Sequence, residues 1–209
     1  MERNAPEAAR LYQLAAEKGV DTAAVRLAEC YLKGRGVSKS VDEAIKWYKA
    51  AAKLGNSSAQ YYLGDCYAKG NGVTQSAADA LSWYKKAAVQ GHGDAQLALG
   101  MIYENGDGVQ KSDENAARWY LISAEQGNRV AQRKLATCYA EGRGVEKNSA
   151  LALEWYHKSA KKGDIEAQNY LGSCYENGLG ASKDLHLAVI WYQKAAIKGH
   201  TEAQYNLGT

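Results

Sequence analysis

The sequence predicts an all-α fold, a right-handed α/α superhelical solenoid of stacked helix-turn-helix repeats, and three periodic observations carry that prediction. Trp47, Trp83, Trp119, Trp155 and Trp191 follow one another at intervals of 36 residues, and each precedes a tyrosine. Gly19, Gly55, Gly91, Gly127, Gly163 and Gly199 keep the same interval, as do the Ala-Gln pairs ending at Gln60, Gln96, Gln132, Gln168 and Gln204. Of the 21 glycines only Gly93 stands outside a repeating column. A register held this strictly marks an array of about twelve helices in which each unit buries its apolar face against the next.

Each unit resolves into two helices. In the first, from Ser58 to Lys69, Ala59, Leu63, Cys66 and Tyr67 recur at the spacing of one helical face. Gly70 and Gly72 in "GNGV" suit the left-handed backbone that ends a helix and makes a tight turn. The second helix opens at the column Ser40, Ser76, Ser112, Asn148 and Asp184, whose short side chains accept hydrogen bonds from the free N–H groups of a first turn. Ser40 with Glu43 and Ser76 with Asp79 form pairs of the capping-box kind. This helix presents Ala80, Trp83, Tyr84, Ala87 and Ala88 for packing and stops at Gly91. Lysine is common in its last turn, where the helix dipole favours a cation. Helices approach to about 8 Å only where the contact residues are small, which accounts for Ala51, Ala52, Gly64, Ala87, Ala88 and Gly100. Trp and Tyr together are expected to fill the wedge between units, with Trp119 a central core residue.

The frame "AQYYLGDCYAKGNGVTQSAADALSWYKKAAVQG" resembles the Sel-1-like repeat, a relative of the tetratricopeptide repeat with a longer loop between its helices. The resemblance covers almost the whole chain. Ala28 and Ala136 replace the glycine of Leu-Gly, Ala181 replaces the loop valine, and the aspartate expected after that valine appears only as Asp184. Family resemblance implies an adaptor or scaffold that assembles proteins, in eukaryotic complexes and in bacterial interactions with hosts. On this frame residues 1–20 are an N-terminal half repeat with Leu11 in the Trp column, 21–200 are five full repeats, and 201–209 are the truncated start of a sixth. The whole reads as a single array, its last segment "TEAQYNLGT" a first helix cut in mid-unit.

Composition narrows the partner. A net charge of +3, from 26 basic and 23 acidic residues, supplies no general field for nucleic acid or an anionic membrane. No stretch approaches the roughly 18 unbroken apolar residues of a membrane helix, and "MERNAPEAARLYQLAAEKG" lacks a secretory apolar core. The expected partner is a protein or peptide, without nucleic acid or membrane insertion, bound by a monomer or within a larger complex. Cys30, Cys66, Cys138 and Cys174 share one column. On stacked helices they would lie about 10 Å apart, beyond the roughly 4.4 to 6.8 Å Cα separation of a disulfide, so free thiols are expected. Secreted relatives carry a second bridging cysteine per unit that this chain lacks. A cytoplasmic, reducing compartment is therefore favoured, with the periplasm or the exterior following if a leader was trimmed.

Chemical motifs are sparse. No CxxC or His-Cys cluster suggests a metal, and the Gly-x-Gly loops follow helices and lack a third glycine, so no cofactor is expected. Ser82 with Lys85 and Ser159 with Lys162 match the SxxK of serine penicillin-binding enzymes, and β-lactamase-like hydrolysis is the competing function. Ser-Asp-Asn and Lys-Thr-Gly partners are missing, however, and the Ser82 column elsewhere holds Lys46, Arg118, Glu154 and Ile190. No catalytic residue is assigned. His92 and His200 share a column at a turn, His157 and His186 sit on second helices, and all four are expected to be solvated.

Function is expected where the repeat varies. On the first helices the columns of Tyr61, Asp65 and Lys69 change to Leu97, Met101 and Asn105, then Arg133, Thr137 and Glu141, then Asn169, Ser173 and Asn177. By the tetratricopeptide likeness these columns face a concave groove. The chain is expected to be a non-enzymatic protein-interaction scaffold, with partner-binding residues Tyr61, Asp65, Lys69, Leu97, Met101, Arg133 and Asn169. Tyr61, Leu97 and Met101 would anchor an apolar group, with Arg133 reading an acidic or carbonyl group beside it.

Overall fold

The computed structural model describes residues 4–208. It contains α1 (Ala5–Glu17), α2 (Asp21–Lys33), α3 (Val41–Lys53), α4 (Ser57–Lys69), α5 (Ala77–Val89), α6 (Gly93–Asn105), α7 (Asp113–Glu125), α8 (Arg129–Glu141), α9 (Ser149–Lys161), α10 (Ile165–Asn177), α11 (Leu185–Ala196) and α12 (Thr201–Gly208), and no strand among the described residues. Even-numbered helices are the first helices of the repeats; odd-numbered ones are the second. Contacts group the chain into a unit ending at Leu99 and a unit beginning at Gly100, the division falling inside α6 with no linker.

The helix ends follow the repeating columns. Ser40, Ser76, Ser112, Asn148 and Asp184 each accept a hydrogen bond from the backbone N–H three residues on, at the start of α3, α5, α7, α9 and α11. The backbone N–H of the same five residues donates to the carbonyls of Tyr31, Tyr67, Tyr103, Tyr139 and Tyr175, which closes the loop between the two helices. Gly70 ends α4 at φ 70°, a conformation a side chain resists. The second loop glycine has a different duty. A Cβ on Gly36 would lie 2.0 Å from the Ala5 carbonyl oxygen, and one on Gly144 2.0 Å from that of Asp113, so the loop sits directly on the start of the preceding second helix.

The Ala-Gln column also has a physical cause. Side-chain amides of Gln60, Gln96, Gln132, Gln168 and Gln204 donate to the carbonyls of Ala52, Ala88, Ala124, Ala160 and Ala196, at 3.0 to 3.3 Å. Each adds a second hydrogen bond to a carbonyl of the ending helix that also accepts the backbone N–H of the turn glycine, Gly55, Gly91, Gly127, Gly163 or Gly199.

The expectation that Trp and Tyr share the core is corrected by the structure. Tyr48, Tyr84, Tyr120, Tyr156 and Tyr192 are all buried, whereas all five tryptophans are half-buried, Trp119 included. Neighbours on a helix point about 100° apart, so when one faces the packed helix the other lies along the flank. In the first unit Trp47 and Trp83 pack at the edge of a core of Ala24, Ile45, Tyr48, Ala59 and Leu63. In the second, Trp155 and Trp191 border Leu153, Tyr156, Leu171 and Cys174. Lysine ammonium groups lie over all four of these rings, at 6.0 Å for Lys46 on Trp47, 4.1 Å for Lys86 on Trp83 and 3.9 Å for Lys158 on Trp155 and for Lys194 on Trp191.

The glycine of Leu-Gly receives the buried tyrosine. A Cβ at Gly64, Gly100 or Gly172 would stand 2.6, 2.4 or 2.4 Å from the ring of Tyr84, Tyr120 or Tyr192. In these repeats the phenol donates to a carboxylate: Tyr84 to Asp65 at 3.2 Å, Tyr120 to Glu104 at 2.6 Å and Tyr192 to Glu176 at 2.7 Å. Where Ala28 or Ala136 fills the column, Tyr48 and Tyr156 instead stack on Tyr62 and Tyr170 of the next repeat, centroids 5.0 Å apart in both cases.

Candidate functional site

In the first unit, α4 and α6 carry the variable columns. Tyr61 is half-buried, and its ring stacks on His92 with centroids 4.8 Å apart and planes 18° from parallel. Tyr62 and Tyr84 border it at 5.5 and 5.9 Å. Burial, with Asp65 and Asp94 nearby, pushes the Tyr61 phenol up to about 12, so it is a neutral hydrogen-bonding group at physiological pH. Asp65 accepts from the Tyr84 hydroxyl and meets Lys69 Nζ at 2.6 Å. Lys69 is mostly exposed, and Leu97 is half-buried on α6. Tyr61, Asp65 and Lys69 are thus linked by packing and charge on one helix.

In the second unit the expected residues differ in how free they are. Met101 is 42% exposed. Arg133 Nε lies 3.1 Å from Oδ1 of Asp164, the residue that caps the next repeat's α10, an ion pair by proximity without hydrogen-bond alignment, and its side chain is only 23% exposed. Asn169 is buried and donates to Glu202 at 3.0 Å. Columns that vary among repeats therefore include side chains that tie one repeat to the next.

A polar cluster centred on Glu104 is not visible from the sequence. Its oxygens accept from the Tyr120 hydroxyl at 2.6 Å, Lys134 Nζ at 2.7 Å and Arg143 at 3.1 Å, and Arg143 Nε also meets Glu141 at 2.6 Å. Burial acts to raise the Glu104 carboxyl, but the bonds from Lys134 and Tyr120 and the charges of Lys134 and Arg143 hold it below its usual range. These groups are separated in sequence and share no motif, so only the repeat register links them.

Three of the four histidines are not solvated as expected: His157 is half-buried, its Nε2 2.8 Å from the Tyr175 hydroxyl and its ring edge-on to Trp191, and only His186 is exposed. His92 and His200 are half-buried N-cap residues, each Nδ1 accepting a backbone N–H, from Ala95 at 3.3 Å and Ala203 at 3.2 Å. They share their column with Asn56, Asn128 and Asp164, which cap α4, α8 and α10 in the same way. Histidine is an uncommon cap, which hid the role. Ser159 is fully buried and donates to the Arg129 carbonyl at 2.7 Å, and Lys162 Nζ meets the Gly127 carbonyl, so this SxxK pair is occupied in holding the end of α9 to the start of α8 and the turn before it. Cys30, Cys66, Cys138 and Cys174 are free thiols, and burial pushes Cys138 and Cys174 up to about 11. Among the described residues no group of three or more His, Cys, Asp or Glu side chains is placed to hold a metal, and no helix is long and apolar enough to cross a membrane.

A family model of the Sel1 repeat matches residues 1–20, 22–56, 57–92, 93–128, 129–164 and 165–200. The chain belongs to the Sel1 repeat family. Solved Sel1 repeat structures resemble it along most of its length. The uropathogenic Escherichia coli protective antigen c5321, with an SLR fold, is 37% identical at a TM-score of 0.91 over 97% of this chain and 43% of its own. A Sel1 repeat protein from Oxalobacter formigenes is 36% identical at a TM-score of 0.84, over 91% of this chain and 78% of its own. The immunity protein Pa5087 from Pseudomonas aeruginosa is 25% identical at a TM-score of 0.59, over 94% of this chain and 75% of its own. This Sel1 repeat chain thus spans less than half the length of the E. coli antigen. No curated protein sequence matches it.

Proposed function

We propose that this Sel1 repeat chain is a non-enzymatic scaffold that binds a protein or peptide along the variable columns of its first helices. The supporting observation is the first-unit surface, where Tyr61, Asp65, Lys69 and Leu97 lie on helices whose stacking is carried by other columns, those of Ala59, Leu63 and Gly64. Half-exposed aromatic and aliphatic side chains beside a charged pair supply an apolar anchor with a polar rim. In the second unit Met101 offers a further apolar contact, whereas Arg133 and Asn169 reach a ligand only by releasing Asp164 and Glu202.

The test is affinity purification with mass spectrometry from the native host, comparing the natural chain with Leu97→Asp. A partner retained by the natural chain and lost by the variant, at unchanged helical circular dichroism, supports the reading. Equal capture by both moves the site to the second helices or the loops.

A further inference from the structure

Three asparagines precede glycine: Asn71 in the loop between α4 and α5, Asn105 at the end of α6 and Asn177 at the end of α10. In such a pair the glycine nitrogen, with no side chain beside it, can attack the asparagine side-chain carbon when its N–H is not engaged elsewhere. Two of the pairs are held. The Gly106 N–H donates to the Ile102 carbonyl at 2.8 Å, and that of Gly178 to the Cys174 carbonyl, bonds that close the last turn of each helix. Their asparagine side chains are engaged as well, Asn105 Nδ2 with Asp107 at 3.1 Å and Asn177 Nδ2 with the Ser173 carbonyl at 2.9 Å. Asn71 lies beyond the end of α4, and its own N–H donates to the Cys66 carbonyl. Neither its side-chain amide nor the Gly72 N–H has a hydrogen-bond partner among the described residues, and both residues are exposed.

The difference follows from position in the repeat. The N–H of the second loop glycine, Gly36, Gly72, Gly108, Gly144 or Gly180, makes no hydrogen bond among the described residues in any of the five loops. Arg35, Asn71, Asp107, Arg143 and Leu179 precede it, so only at Asn71 does that nitrogen follow an asparagine. Asp107 offers a carboxylate instead, ionised at neutral pH and a poor electrophile. The surroundings of the glycine differ too. A Cβ on Gly72 would meet the side-chain ends of Ile45 and Val41, at 2.5 and 2.6 Å, whereas on Gly36, Gly144 or Gly180 it would meet a backbone carbonyl at 2.0 to 2.2 Å. Side-chain ends yield more readily than backbone, so the Asn71 loop can bend as a ring forms.

We propose that Asn71 is a site of spontaneous deamidation through a succinimide, while Asn105 and Asn177 are protected. Gly72 N attacks Asn71 Cγ, its proton passes through solvent to the departing nitrogen, the Cγ–Nδ2 bond breaks and ammonia leaves. Water then adds to one of the two ring carbonyls and opens the ring to an aspartate or an isoaspartyl residue. One water is consumed and one ammonia released, with no oxidation. The product carries a new negative charge beside a groove that Gly72 lines together with Lys46, Lys49 and Lys53. The inference is independent of the columns around Tyr61.

Incubation of the folded full chain at neutral pH, followed by rapid tryptic digestion in mildly acidic buffer and mass spectrometry, tests it. Trypsin places the three pairs on separate peptides, residues 70–85, 87–111 and 163–183. In the folded chain peptide 70–85 should deamidate at least about tenfold faster than the other two, whose glycine nitrogens react only when a helix end opens. In concentrated urea the three rates should converge, since the Asn-Gly pair is common to all. Chromatography should divide the 70–85 product into aspartyl and isoaspartyl peptides, as opening of a ring at either carbonyl requires. Equal rates in the folded chain, faster reaction at Asn105 or Asn177, a difference that persists in urea, or an aspartyl product without isoaspartate would overturn the proposal.

Discussion

In the repeats of Gly64, Gly100 and Gly172 the buried tyrosine lies against bare helix backbone and its hydroxyl reaches a carboxylate of that first helix. In the repeats of Ala28 and Ala136 the equivalent ring stacks on a tyrosine of the next repeat. There the Tyr156 hydroxyl meets Thr137 at 3.1 Å, while that of Tyr48 is buried without a protein partner among the described residues. One methyl group separates the two arrangements. The matching residue in the next repeat changes with it: Tyr62 and Tyr170 follow the alanine repeats, whereas Ala98, Lys134 and Asn206 follow the glycine repeats. A close-packed wedge has two solutions, and the residue that selects one lies on the preceding helix.

The largest expected effect tests which ring is the core. Tyr120→Ala should cost about 3 to 5 kcal/mol in chemical denaturation, the range for a fully buried large side chain, and Trp119→Ala less than half as much. Equal losses would return the tryptophan to the core. Next, Gly64→Ala should destabilise by about 1 to 3 kcal/mol, because the added methyl meets the Tyr84 ring. Adding Ala98→Tyr should recover part of that loss by supplying the stacking partner of the alanine repeats. A double-mutant cycle without favourable coupling would show that the two arrangements are not interchangeable.

A third test uses pH. The folded Glu104 carboxyl titrates below its ordinary value, so its contribution is complete above that value and is lost as pH falls through the lower one. Glu104→Gln should cost about 1.5 to 3 kcal/mol at neutral pH, as expected for a charged hydrogen-bonded group. The gap from the natural chain should narrow below about pH 4; a gap constant with pH would mean the carboxylate charge contributes nothing. The smallest effect concerns His92. Burial, opposed by Asp94, lowers its pKa, so the neutral cap is fully stabilising above about pH 6.5 and weakens as pH falls through the lower folded value. His92→Asn should retain the cap and remove that slope, changing stability at neutral pH by only roughly 0.5 kcal/mol.

Much of this was legible because it is local. Ser40, Ser76, Ser112, Asn148 and Asp184 cap within three residues, and their chemistry alone identifies the helix starts. Gln60 and its counterparts were visible as a column but not as carbonyl donors, since periodicity shows that a residue is needed and not which atom it meets. The order of Trp and Tyr was harder still: both are large aromatics, and only the approach to Gly64, Gly100 and Gly172 tells them apart. Arg133 and Asn169 look free in the sequence because their columns vary. Their partners, Asp164 at the cap of α10 and Glu202 on α12, stand at the next first helix, where pairwise matching looks like variation in each column taken singly.

The five glutamine bonds each span eight residues. Such a link joins the end of one helix to the start of the next across a short loop, so it closes at little entropic cost and needs no distant part of the chain. Contacts this local keep the contact order low and let structure nucleate at any repeat and spread to its neighbours. On the ribosome, each turn between helices can therefore lock as soon as the following first helix has emerged, before the remainder of the chain is made.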